Sequence, residues 1–211
     1  MDLLQYDDNG NTPLIAAIKE NRLKEFLKDL PAGQLTHAAW LKPAKRSKND
    51  DLGNCALHEA AIYGVLSQVP TEFLTKQNIS RKNIMQYSVL HSAAEHGHLN
   101  QLPIELLTEE NLLIADNNYW TAFHSAAAYG HAEQIPIECW TQRSLLWADS
   151  EGLCIFRELI EADSLDCVLG ADLPETMREY MGEEWWAKNE EIKKTTRNLS
   201  NTDYAADIDL F

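Results

Sequence analysis

An all-α repeat solenoid, made of helix-turn-helix units with short hairpin tips and a C-terminal helical extension, is the fold class that the sequence predicts. Three observations carry it. First, a spacing of 33 residues relates His58, His91 and His124, then Gly64, Gly97 and Gly130, then Pro70, Pro103 and Pro136. Asp50, Asn83, Asp116 and Asp149 continue the same register, as do Thr75, Thr108 and Thr141. Columns of five residue types in one register mark a repeated structural unit. Second, each of the three middle units holds a short alanine-rich run with a cap position before it and a glycine after it, the punctuation of a brief helix. Third, 45% hydrophobic and 24% charged residues is globular composition, and no apolar run approaches the roughly 20 residues that a membrane helix needs.

The units follow in order. The first, near 7–49, contains Thr12-Pro13-Leu14-Ile15-Ala16-Ala17 and stands 43 residues before its counterpart instead of 33, the extra length falling around 22–31 and 36–49. The second, 50–82, reads Cys55-Ala56-Leu57-His58-Glu59-Ala60-Ala61, and the third, 83–115, reads Ser88-Val89-Leu90-His91-Ser92-Ala93-Ala94. The fourth, 116–148, reads Thr121-Ala122-Phe123-His124-Ser125-Ala126-Ala127, and a degraded fifth, 149–169, reads Cys154-Ile155-Phe156-Arg157. Thr12, Ser88 and Thr121 are good N-caps for the inner helix, whereas Cys55 and Cys154 are poorer caps of similar size. The paired alanines combine high helix propensity with a small profile that lets layers approach. Gly64, Gly97 and Gly130 can take positive φ and end the inner helix.

After that helix comes Leu99-Asn100-Gln101-Leu102-Pro103-Ile104-Glu105-Leu106-Leu107-Thr108, echoed one period later around Pro136. Proline cannot sit in a helix interior, so the outer segment should be a short turn, a restart with proline at N1, and a last turn capped by Thr108 or Thr141. The tip glycine, present as Gly10, Gly53 and Gly152, is Gln86 and Tyr119 in the middle units, which predicts looser turns there. Ile15 and Arg157 stand in the histidine column at the two ends, and atypical terminal units shield a repeat array. The acidic extension 170–211 loses the period. Leu173-Pro174 should start a helix through Arg178, Tyr180 and Met181, 183–192 a second, and 198–211 should be extended. Trp185 and Trp186 are read as a lid on the last unit, since exposed tryptophans would be a liability.

Taken together, the columns resemble the ankyrin repeat, with its T-P-L-H-x-A-A-x-x-G-H pattern at a period of 33, over about 7–169, in the style of bacterial or viral members. The resemblance implies that His58, His91 and His124 are hydrogen-bonding struts between neighbouring units. It also implies that the tips and the ends of the inner helices share one concave, partner-binding side. Carried over column by column, that side holds Leu52 and Asn54 with Ile62 and Tyr63, then Met85 and Tyr87 with Glu95 and His96, then Asn118 and Trp120 with Ala128 and Tyr129.

The chemistry of enzymes is missing from the sequence. There is no phosphate-cradling G-x-x-x-x-G-K-[ST] or G-x-G-x-x-G, no G-x-S-x-G elbow and no H-E-x-x-H pair. Cys55, Cys139, Cys154 and Cys167 form no CxxC, and His96 and His98 merely flank the helix-ending Gly97, so neither metal nor cofactor is expected. Net charge is −15, which speaks against direct binding to nucleic acid. The imbalance is concentrated in 83–169, where only Arg143 and Arg157 face 13 acids. Residues 1–8 have neither a basic region nor an apolar core, so a secretory leader is not expected and the cytoplasm is the expected compartment. The expectation is a non-enzymatic, monomeric module that binds another protein, one with a basic surface, through its concave face, without membrane contact. The alternative is an acidic inhibitor or nucleic-acid mimic that blocks a nucleic-acid-handling or host-defence enzyme, as anti-CRISPR and immunity proteins do.

Overall fold

A computed structural model describes residues 2–31, 33–45 and 52–205. The chain is mostly helical: α1 (Pro13–Lys19), α2 (Leu23–Asp29), α3 (His37–Leu41), α4 (Ala56–Ile62), α5 (Lys76–Ile79), α6 (Val89–Glu95), α7 (Glu109–Leu112), α8 (Ala122–Ala128), α9 (Gln142–Leu145), α10 (Ile155–Glu161), α11 (Arg178–Met181) and α12 (Glu183–Ala205). Among the described residues there is no strand, only the isolated antiparallel bridges Pro43–Cys55, Lys82–Ser88 and Ala148–Cys154. No described helix is long and apolar enough to cross a membrane. Asp50, the first member of the Asp/Asn column, and 206–211 lie outside the described residues.

The helices α1, α4, α6, α8 and α10 have seven residues each, too few to persist alone in water. Packing supplies what propensity cannot. The helices contact one another in chain order, α1 with α4, α4 with α6, α6 with α8, and α8 with α10. Their paired alanines, from Ala60 and Ala61 to Ala126 and Ala127, are fully buried at these contacts. At the N-termini of α1, α6 and α8, the Thr12, Ser88 and Thr121 hydroxyls accept from the backbone three residues on. At the other end, Gly64 and Gly97 sit at φ 67° and 71°, and a Cβ on Gly64 would come within 2.6 Å of the His98 ring. These two glycines are needed both for backbone conformation and for the histidine of the next unit.

The histidine column is a set of cross-ties. His58 Nε2 donates to the Tyr87 carbonyl at 3.0 Å, His91 Nε2 to that of Trp120 at 3.0 Å, and His124 Nε2 to that of Leu153 at 3.2 Å. The opposite nitrogen, Nδ1, accepts from the cap residue's own backbone N–H: Cys55 at 3.4 Å, Ser88 at 3.1 Å and Thr121 at 3.2 Å. A carbonyl on one side and an N–H on the other select a single neutral tautomer. Burial pushes His58 and His91 down to about 4 and lowers His124 as well, the cost of a buried imidazolium outweighing the carbonyl's attraction.

Three sequence expectations need correction here. The outer segments do break at proline, but into single 3-10 turns, Leu99–Gln101 and Ile104–Leu106, followed by Thr108-capped α7. Pro103 precedes the second turn, with an extended ψ of 132°, and so is its flanking residue and not N1. Pro136 behaves in the same way before Ile137–Cys139. Second, the tips without glycine are not looser. Gln86 and Tyr119 take φ 65° and 61°, beside 62° for Gly53. Asn83 Oδ1 holds the tip by accepting from Met85 and Tyr87 N–H, both at 3.0 Å, and Asp116 Oδ1 does so for Asn118 and Trp120. The Asp/Asn column exists to make this side-chain turn, which imposes the left-handed residue whatever its type.

Third, 198–205 is not extended: α12 continues to Ala205. The start of this helix is tied to the chain before it. Trp186 is buried and Trp185 half-buried against the core. Asn189, fully buried, accepts from Gly170 N–H at 2.5 Å and donates to the Ala171 carbonyl at 3.3 Å. Lys193 pairs with Asp172 and Glu190 at 2.9 and 3.1 Å.

Candidate interaction cleft

The side chains of the 83–87 tip divide between two clefts. Met85 and Tyr87 line one cleft, of about 430 Å³, together with Leu52, Asn54, Ile62, Asn83, Ser92, Glu95 and His96. Ile84 and Gln86 line another, of about 270 Å³, which carries Arg81 and Lys82. The first cleft therefore brings together seven sequence-predicted residues: Leu52, Asn54, Ile62, Met85, Tyr87, Glu95 and His96. Tyr63, Asn118, Trp120 and Tyr129 do not line it.

Its rim is apolar where the fold gains nothing from leaving it so. Leu52 is 44% exposed and Met85 56%, with Ile62 half-buried between the tip and the end of α4. Tyr63 and Tyr129, at the ends of α4 and α8, are also exposed, at 49% and 56%. Glu95 supplies the charge. Its negative charge raises the pKa of Tyr129. His96 Nδ1 lies 3.0 Å from the Ser92 carbonyl, which orients the exposed ring.

Other assigned surface residues prove to be structural. Asn54 is 3% exposed, donating to Glu59 Oε1 at 3.1 Å and accepting from Asn83 Nδ2 at 2.9 Å. It is part of the cleft floor and unavailable as a partner's anchor. Tyr87 and Trp120 are half-buried because each stacks on the next histidine tie, on His91 at 5.2 Å and His124 at 4.9 Å between ring centres. Trp120 also donates its indole N–H to Ser125 Oγ at 2.9 Å. Trp120 is therefore part of the folded framework as well as of the tip.

The site assignment missed Asn83 and Ser92. Asn83 was legible as a member of the Asp/Asn column, whereas Ser92 gave no signal, since its column elsewhere holds Glu59, Ser125 and Glu158. Among the described residues no group of three or more His, Cys, Asp or Glu is placed to hold a metal ion. The cysteines are free thiols, and burial raises Cys139 to about 11 and Cys167 to about 12, leaving little nucleophilic thiolate. No protein-family model and no curated protein matches this chain.

Proposed function

We propose that the chain is a non-enzymatic protein-binding module of ankyrin-repeat type, five units over 1–169 closed by the extension 170–211, working in the cytoplasm as a monomer. The observation that carries the reading is the cleft: Leu52, Ile62 and Met85 expose apolar surface at the tips and helix end where burial in the core is not required. Such residues, with tyrosines nearby, are of the types that anchor interfaces. The 29-residue ties from each histidine to the next tip support the unit-by-unit architecture, since they set the tips at a constant spacing. Preformed spacing lowers the ordering penalty of binding.

A second reading rests on the charge of 83–169. Exposed Glu105, Glu110 and Glu138 lie on the outer segments, away from the cleft, and an acidic inhibitor would use them against a basic groove. One experiment separates the two. The tagged full chain is used to capture its partner from the native host, in parallel with Met85→Asp and with a Glu105→Lys, Glu110→Lys, Glu138→Lys triple variant. Loss with Met85→Asp alone is the outcome for the cleft. Loss with the triple variant alone, and steep salt dependence, replaces it by charge mimicry.

A further inference from the structure

The cleft between the tips of 52–54 and 83–87 has a composition that selects its occupant. Three features coincide there. Leu52, Ile62 and Met85 form an apolar wall. Asn54, Asn83 and Ser92 form a buried polar floor, and the Asn54–Asn83 and Asn54–Glu59 hydrogen bonds leave the floor rigid. Glu95 stands on the rim, where its negative charge raises the Tyr129 pKa, and among the described residues it makes no ion pair.

Among the described residues, no lysine or arginine lines the cleft beside Glu95. Within 83–169 the only basic side chains are Arg143 and Arg157. Arg143 stands 3.9 Å from Glu109, and Arg157 is 2.8 Å from Glu161. Neither lines the cleft. The nearby cations Arg81 and Lys82 line the other cleft, beyond the 83–87 tip, and Lys82 is engaged with the Ala115 carbonyl at 2.7 Å. An apolar wall beside an uncompensated carboxylate in an acidic field leaves one complementary chemistry.

We infer that this cleft seats an extended basic peptide segment of the partner, placing an apolar side chain between Leu52, Ile62 and Met85 and an adjacent lysine or arginine on Glu95. The inference rests on the concave-face reading and narrows it to a partner chemistry. The apolar side chain supplies the anchor, and the cation sets orientation and discriminates against acidic segments. An acidic segment would bring a second carboxylate to Glu95 with no cation to share.

The test uses the intact chain and synthetic peptides in four classes. These are leucine or methionine flanked by lysine and arginine, the same apolar residues flanked by aspartate and glutamate, the same flanked by serine and glutamine, and the basic peptide with serine in place of the apolar residue. Binding is measured by fluorescence anisotropy for the parent chain, Met85→Asp and Glu95→Lys, each first shown to melt like the parent. The expected result is that the basic apolar class binds at least about tenfold tighter than the other three. Met85→Asp should abolish that binding, and Glu95→Lys should transfer the preference to the acidic class.

Equal or tighter binding of the neutral or acidic apolar classes, lost in Met85→Asp, overturns the partner chemistry while leaving the concave-face reading in place. Basic peptides that bind without an apolar residue, and equally well to Met85→Asp, overturn both. Absence of binding by every class also overturns the inference. The concave-face reading is then decided separately by the capture experiment with the native partner.

Discussion

The inner helices of the middle units and those at the two ends solve the same packing problem with different residues. In α4, α6 and α8 the third helical position is a histidine tied forward to the next tip's carbonyl. In α1 the place is taken by fully buried Ile15, and in α10 by Arg157, which turns outward to Glu161 at 2.8 Å. A tie is useful only where a following tip presents a carbonyl. The 149–153 tip, whose Leu153 carbonyl receives His124, is the last one of the period, so α10 has nothing to reach for. At the other end the Asn54 carbonyl, the counterpart of those of Tyr87 and Trp120, accepts from Ala44 N–H at 2.8 Å. The difference teaches that the histidine is set by its neighbour in space and not by the helix that carries it.

Acid should break the middle units first. His58 and His91 sit at about 4 in the folded chain against 6.5 when unfolded. A depressed folded value means that the unfolded state binds the proton first. Stability is therefore intact above pH 6.5 and falls as pH drops toward 4, by on the order of 3 kcal/mol for each histidine at most. Urea midpoints between pH 7 and 4 measure this fall, and a midpoint independent of pH would contradict the neutral tie.

Next in size is the C-terminal lid. Trp186→Ala removes a buried indole and should destabilise by about 3 kcal/mol, with α12 undocking and apolar surface becoming accessible to a dye. Unchanged melting and no dye binding would show that the extension is held independently of the core.

The direct test of the contrast is smaller. His91→Ala leaves the Trp120 carbonyl without its tie and should lower stability by about 1–3 kcal/mol. Arg157→His, which installs a histidine where no following tip is available, should change stability by less than about 0.5 kcal/mol. Comparable effects of the two substitutions in thermal melts would erase the distinction between middle and end. Smallest are the tips: Gln86→Gly and Tyr119→Gly relieve a left-handed backbone and should each gain about 1 kcal/mol or less, read from the melting temperature.

The parts of the molecule legible in the sequence are those decided by chemistry a few residues long. Thr12, Ser88 and Thr121 cap helices through bonds to the residue three positions on, and Gly64 and Gly97 end them, so repetition of the columns was enough to place α1, α4, α6 and α8. Seven members of the candidate cleft were legible for the same reason, because their register follows from those helices and tips. The outer segments were half legible. Proline forbids a continuous helix, but nothing in the local sequence distinguishes a 3-10 turn from an α turn over three residues.

By itself, then, the sequence determined the period, the caps, the helix ends and the charge imbalance, all of which depend on residue type and spacing alone. Tertiary structure decided the rest. Asn54 is a floor and not an anchor because Asn83, 29 residues on, bonds it. Trp120 is half-buried because Ser125 and the His124 ring cover it. Gln86 and Tyr119 are left-handed because Asn83 and Asp116 close the tips around them. The physical reason is common to all three. Burial and hydrogen-bond saturation are properties of what surrounds a side chain, which residue type alone does not state, whether the partner is four or five positions away, as at Trp120, or 29, as at Asn54.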